Sequence, residues 1–258
     1  APQTCGAFLF IFFFCFSYFW RVKKSLGKIL TLLKLLGCIL LLFSVCRVLF
    51  FLFNYDLFND ISPALFFFGV RFDISAIIVI NSLFIVLFLI TAPIHRNKIF
   101  RILLKTIFIV TNSFALLVNC LDFAYFRFTL KRTTADVFAF ISAGGGDFTR
   151  LLPQLLKDYW YVILIWIAMI ALLIKLYKKS TSALSTTDSP CFSFKNLLSE
   201  ILISTAMIGI FIVGYRGGLQ LKPISIITAS EYTSAENIPI VINTPFAIIK
   251  TYGQEELE

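Results

Sequence analysis

Charge is scarce in this chain. Of its 258 residues only 14% are Asp, Glu, Lys or Arg, where a typical soluble domain carries roughly a quarter. With 59% hydrophobic residues and a mean hydropathy of +0.90, the deficit excludes a soluble globular protein and leaves an integral membrane protein. Histidine is scarcer still: a single one, His95, excludes a histidine-rich zinc centre and a Ser-His-Asp triad, and its position in a basic turn beside Pro93 reads as a solvated loop. No phosphate-cradling loop is present. Gly144–Gly146 lacks both the preceding strand and the following Lys-Ser/Thr, and reads as a helix breaker. The six cysteines, Cys5, Cys15, Cys38, Cys46, Cys120 and Cys191, lie mostly within apolar segments without metal-type spacing, so they read as small buried hydrophobes. Neither a catalytic residue nor a metal site is assigned. There is also no internal repeat and no matched pair of Gly/Pro-interrupted helices, which counts against a transporter.

What the chain has in abundance is long apolar sequence. Its 31 phenylalanines are spread through every apolar run without a period-2 signal, so the fold class is all-α integral membrane, not a barrel. Five runs approach the roughly 20 residues that a span needs: Ile29–Phe53, Ile74–Pro93, Ile99–Leu121, Trp160–Tyr177 and Leu197–Tyr215. A further run, Ala7–Trp20, is too short for a full span and reads as an interfacial or leader segment. Basic residues cluster at Arg21–Lys28, at Arg96–Lys105 and around Lys175–Lys195, and with five spans all three blocks fall on one side. Only Asp188 and Glu200 among the 14 acidic residues share that side. The positive-inside rule then places the N-terminus in the cytoplasm and the tail after Tyr215 outside. Topology accounts for the net charge of +9, and no nucleic-acid partner is expected.

Three regions follow: a leader or interfacial segment 1–23, a five-helix transmembrane domain 24–215, and an extracytoplasmic linker 216–258. In the outer connection, Thr133 or Thr134 can cap a short amphipathic helix, with a second such piece at Phe148–Leu156. The Ser/Thr-rich stretch 178–194 reads as a flexible cytoplasmic linker. Gly214, Gly217 and Gly218 end the fifth helix, and the apolar "IPIVINTPFAIIK" that follows Pro223 reads as lying on the membrane surface.

Ionic residues at membrane depth are costly and so carry the functional interest. Arg47 lies within the first span, Arg71 and Asp73 open the second, Asn119, Asp122 and Arg127 close the third, and Arg216 ends the fifth. Arg71 and Asp73, two apart on a helix, point in different directions, so Arg47 is expected to pair with Asp73 or Asp122. These residues read as interhelical ion pairs that fix packing, or as a site whose spare positive charge, with Arg127 and Arg216, receives an anionic lipid headgroup.

Five stretches together suggest a family: "NYDLF" at 54–58, "GVRFDIS" at 69–75, "DFAYFRF" at 122–128, "YRGGLQLKPI" at 215–224 and "NTPFAIIK" at 243–250. Their order over residues 24–258 resembles the membrane domain of lipoteichoic-acid-synthase-like phosphoglycerol transferases, of the sulfatase/alkaline-phosphatase superfamily, in their Bacteroidetes-type form. The resemblance implies the bacterial inner membrane, a cell-envelope role, phosphatidylglycerol as lipid partner, and a following extracytoplasmic catalytic domain. That domain would hold a divalent metal, usually manganese, and a threonine nucleophile, none of whose residues maps onto these 258. The expected function is to anchor and orient that domain. The alternatives are a stand-alone transporter or lipid flippase, or a structural membrane subunit.

Overall fold

The computed structural model describes residues 3–89, 97–137, 157–182, 194–220 and 222–252, with side chains from residue 27 in the first stretch and from residue 201 in the fourth. Among these residues the fold is entirely helical. Helix α1 runs Gln3–Phe53, α2 Ala64–Ile80, α3 Ser82–Leu89, α4 Lys98–Thr129, α5 Trp160–Thr181, α6 Phe194–Arg216, α7 Ile238–Val241 and α8 Thr244–Thr251. Short 3-10 turns at Tyr55–Leu57, Ile227–Glu231 and Ala235–Asn237 connect them. His95, Gly144–Gly146 and Phe148–Leu156 lie outside the described residues, as does most of the 178–194 linker.

Among the described residues three helices are long and apolar enough to cross a membrane: the 27 residues Gly27–Phe53 of α1, the 32 of α4 and the 22 of α5. A fourth span is reached by counting α2 and α3 as one, although they meet at 64°. The apolar part described for α6, Ile201–Arg216, falls short of span length. The described residues thus hold three or four candidate spans of the five expected. The run 7–20 belongs to the same continuous helix as the first span, and its side chains lie outside the described residues.

The helix ends differ from the sequence reading for a physical reason. The second span begins ten positions earlier than Ile74, at Ala64, and α4 continues past Leu121 to Thr129, where Leu130 closes it in the left-handed conformation (φ 54°). In both places the sequence reading stopped at ionic residues, Arg71 with Asp73 and Asp122. Those carboxylates are buried and neutralised, so the helices continue through them. The break between α2 and α3 falls at Asn81, whose side-chain amide bonds the carbonyl of Ile77 at 2.9 Å, while its backbone carbonyl accepts from Ile85 at 2.8 Å.

The helices pack around α1, which touches α2, α4 and α5, with α6 against the outer side of α2. Leu32, Leu35, Ile39, Leu42, Phe43 and Phe50 of α1 form the spine of the core. They recur at three- and four-residue spacing, as a buried helix stripe requires. After Arg216 the chain reverses through Gly217 (φ 76°) and Gly218 (φ 138°), and Gly218 N–H reaches Val213 C=O at 3.0 Å, the 6→1 bond of a glycine C-cap. The glycines therefore end this helix as expected. The tail does not lie on a surface. It returns to the bundle, with Ile224, Ala229, Ile240 and Val241 all fully buried, and α7 and α8 lodge against α2 and α4.

Candidate functional site

Two buried ion pairs sit where the tail meets the bundle. In the first, Arg47 of α1 grips Asp73 of α2 in a fork, Nη1 to Oδ2 and Nη2 to Oδ1, both at 2.6 Å. Of the two expected partners for Arg47, Asp73 is the one it takes. The guanidinium also donates from Nε to Ile240 C=O at 2.9 Å and from Nη2 to Gly69 C=O at 3.0 Å and Val241 C=O at 3.2 Å. Arg47 is 3% exposed and Asp73 0%, so the planar fork satisfies a buried charge as a lysine could not. Gly69 is required by this approach: a Cβ there would stand 2.3 Å from Arg47 Cζ.

Asp122 belongs to the second pair. Its partner is Arg132, which follows α4, at 3.5 Å from Nη1 to Oδ2. Thr133 donates to this carboxylate from both its backbone N–H and its hydroxyl, and so does the Thr244 hydroxyl. Arg132 Nε donates to Pro239 C=O at 2.8 Å, and its guanidinium lies 3.4 Å over the Phe50 ring. Burial lowers the Arg132 pKa to about 10 against the opposing attraction of Asp122, which leaves it protonated at neutral pH. The expected capping role of Thr133 is taken by this bond to Asp122, and the chain next turns helical at Asp136–Val137.

The tail ties the two pairs together at Asn243 and Thr244. Asn243 Nδ2 donates to Asp73 Oδ1 at 2.6 Å, while its Oδ1 accepts from Phe246 N–H at 2.8 Å as the N-cap of α8. One residue thus starts a helix and binds a buried carboxylate. Thr244 N–H meets Asn119 Oδ1 at 3.4 Å. The two arginines also answer a local shortage of donors. Helix α7 is only four residues long, so its last carbonyls lack intrahelical partners, and Pro239, Ile240 and Val241 C=O take guanidinium N–H groups instead.

The remaining expected residues are distributed around this centre. Among the described residues Arg71 is bound to neutral acceptors: Gly217 C=O at 2.6 Å from Nε, the Tyr232 hydroxyl at 2.7 Å from Nη1, and the Gln220 side-chain oxygen. It fastens the turn after α6 and the returning tail to α2. Arg127 stands apart, half exposed, pairing with Asp56 at 2.7 Å and donating to Phe53 C=O at 3.2 Å. Arg216 donates to Gln220 C=O at 3.1 Å. The charges of Arg47, Asp73, Asp122 and Arg132 cancel, so the centre itself holds no spare positive charge. Both its carboxylates are saturated with donors, and among the described residues no group of three His, Cys, Asp or Glu could hold a metal ion.

Arg132, Asn243 and Thr244 were not anticipated. Arg132 reads as one of two adjacent loop cations in "LKRTT". The signal for the other two was present, since a polar Asn-Thr-Pro inside an apolar stretch combines an N-cap residue with a proline of the first helical turn. A neutral pair was missed as well. Asn81 and Asn112, both fully buried, exchange side-chain hydrogen bonds at 3.0 and 2.7 Å.

Neither a protein-family model, a curated protein nor a solved structure matches the chain.

Proposed function

We propose that this chain is the membrane anchor and orienting domain of a lipoteichoic-acid-synthase-like transferase at the outer face of a bacterial inner membrane. The observation that carries the reading is convergence. Four of the five stretches on which the resemblance rests supply the interlocking residues: Arg71 and Asp73, Asp122, Gly217 with Gln220, and Asn243 with Thr244. The tail leaves this lock through α8, held on two sides. A catalytic domain joined after it would have a fixed place relative to the bilayer, where an unstructured linker would let it wander. In this reading the chemistry belongs to that following domain, with its manganese and threonine, and phosphatidylglycerol is the donor. The membrane domain supplies position.

The test is an assay of metal-dependent phosphoglycerol release from phosphatidylglycerol vesicles by residues 1–258, alone and joined to whatever the reading frame encodes beyond Glu258. The longer product should turn over and the 258-residue chain should not. Turnover by the shorter chain overturns the proposal, and so does a frame that supplies no metal-binding domain.

One observation favours a second reading, a transporter or flippase. The 64° break between α2 and α3 resembles the discontinuous helices from which transport sites are built. Against it, the polar groups at the break, Asn81 and Asn112, spend their amides on each other and on the Ile77 and Phe108 carbonyls. Headgroup-labelled lipid scrambling in proteoliposomes separates the two readings, since an anchor gives the rate of empty vesicles.

A further inference from the structure

The loop joining α1 to α2 encloses an open cavity of about 290 Å³ that the buried ion pairs do not touch. Four aromatic rings line it: Phe51, Tyr55, Phe58 and Phe66, with Phe51 central. Its ring centroid lies 5.4 Å from Tyr55, 6.4 Å from Phe58 and 5.6 Å from Phe66, at angles between 41° and 80°. Tyr55 is exposed and Phe51 and Phe66 are partly exposed, whereas Phe58 is buried and stacked on Phe126. The rim also carries a carboxylate, Asp60, which is exposed and has no ion pair with any described residue. Its backbone is held in the left-handed region (φ 50°), which Asp and Asn adopt more readily than other side chains do.

Aromatic faces with one unpaired carboxylate are complementary to an organic cation. The rings attract it through their quadrupoles, and the carboxylate supplies the countercharge. The height of the cavity indicates the source of that cation. The apolar span of α1 ends at Phe53, two residues before Tyr55, so the cavity opens where hydrocarbon gives way to headgroups. We propose that this cavity binds the ammonium group of a zwitterionic phospholipid, of the ethanolamine or choline type, distinct from any anionic lipid received elsewhere on the chain.

The test uses the full 258-residue chain in detergent with short-chain phosphatidylethanolamine, phosphatidylcholine or phosphatidylglycerol added in turn, and counts retained lipid by native mass spectrometry. The unaltered chain should retain the two zwitterionic lipids. Asp60→Asn keeps a side chain suited to the left-handed backbone and should fold normally. It should weaken retention of the zwitterionic lipids roughly three- to tenfold and leave phosphatidylglycerol unchanged. Phe66→Leu should act in the same direction, most strongly on the choline lipid. No retention of either zwitterionic lipid by the unaltered chain overturns the proposal. So does Asp60→Asn that leaves zwitterionic retention intact, or that lowers all three alike.

Discussion

At the end of the bundle covered by the tail, four ionised side chains are buried; at the bend between α2 and α3, the buried polar groups are neutral and the surroundings are rings. The bend is packed by Phe84, Phe88, Phe108 and Tyr177, with Phe84 and Phe108 centroids 4.8 Å apart, and its one polar clamp is the Asn81–Asn112 pair. The difference follows from the backbone each region must accommodate. A bent helix has to satisfy a few displaced groups, and an asparagine amide suffices. The tail brings a four-residue helix and its loose carbonyls to membrane depth, where irregular backbone is tolerated only if protein groups satisfy it. Arginine does this with several donors at once, and each arginine then needs a carboxylate.

The comparison breaks most readily at Arg47. Arg47→Ala leaves Asp73 buried without its partner and should cost about 3–5 kcal/mol, seen as loss of folded protein from membranes and a lower unfolding temperature. The double variant Arg47→Met, Asp73→Leu should recover much of that loss while the tail, deprived of the donors to Ile240 and Val241, becomes sensitive to protease. A smaller effect, about 1–3 kcal/mol, is expected from Gly69→Ala, whose methyl group would displace the guanidinium. Asn243→Ala removes both a carboxylate donor and an N-cap, at about 1–3 kcal/mol, and hydrogen exchange should rise in 238–252 while α4 and α5 stay protected. At the bend, Asn112→Ala should cost about 1–2 kcal/mol without loosening the tail; if the tail loosens as well, the two regions are not independent. The smallest change is expected from Arg127→Ala, whose pair with Asp56 is solvent-exposed and worth about 0.5 kcal/mol or less.

Much of the fold was legible. Hydropathy located the first, third and fourth runs close to where α1, α4 and α5 lie, because a long apolar helix needs no tertiary information to be recognised. That Arg47 pairs with Asp73 or Asp122 was legible for a related reason, since an arginine at that depth must find a carboxylate and few were available; the choice of Asp73 was not. What could not be read was the tail. "IPIVINTPFAIIK" has the composition of a surface segment and of a buried one equally, and only the carboxylates waiting at Asp73 and Asp122 decide between them. Arg132 was obscured likewise, since a cation just beyond a helix normally faces water, and nothing local to "KRTT" reveals that Phe50 and Pro239 will enclose it.

The contacts of Arg47 also impose an order on biogenesis. Its carboxylate partner lies 26 residues ahead in the chain, whereas the carbonyls of Ile240 and Val241 lie 193 and 194 residues ahead. A chain emerging from the ribosome can neutralise the charge early, once the second hydrophobic segment has entered the bilayer. It must then wait through the synthesis of α3 to α6 before these acceptors arrive. For that interval Gly69 C=O is the other of its acceptors, among the described residues, that has already been made. Insertion and closure are thus separate events in time, and a segment made long after the first span is the one that completes it.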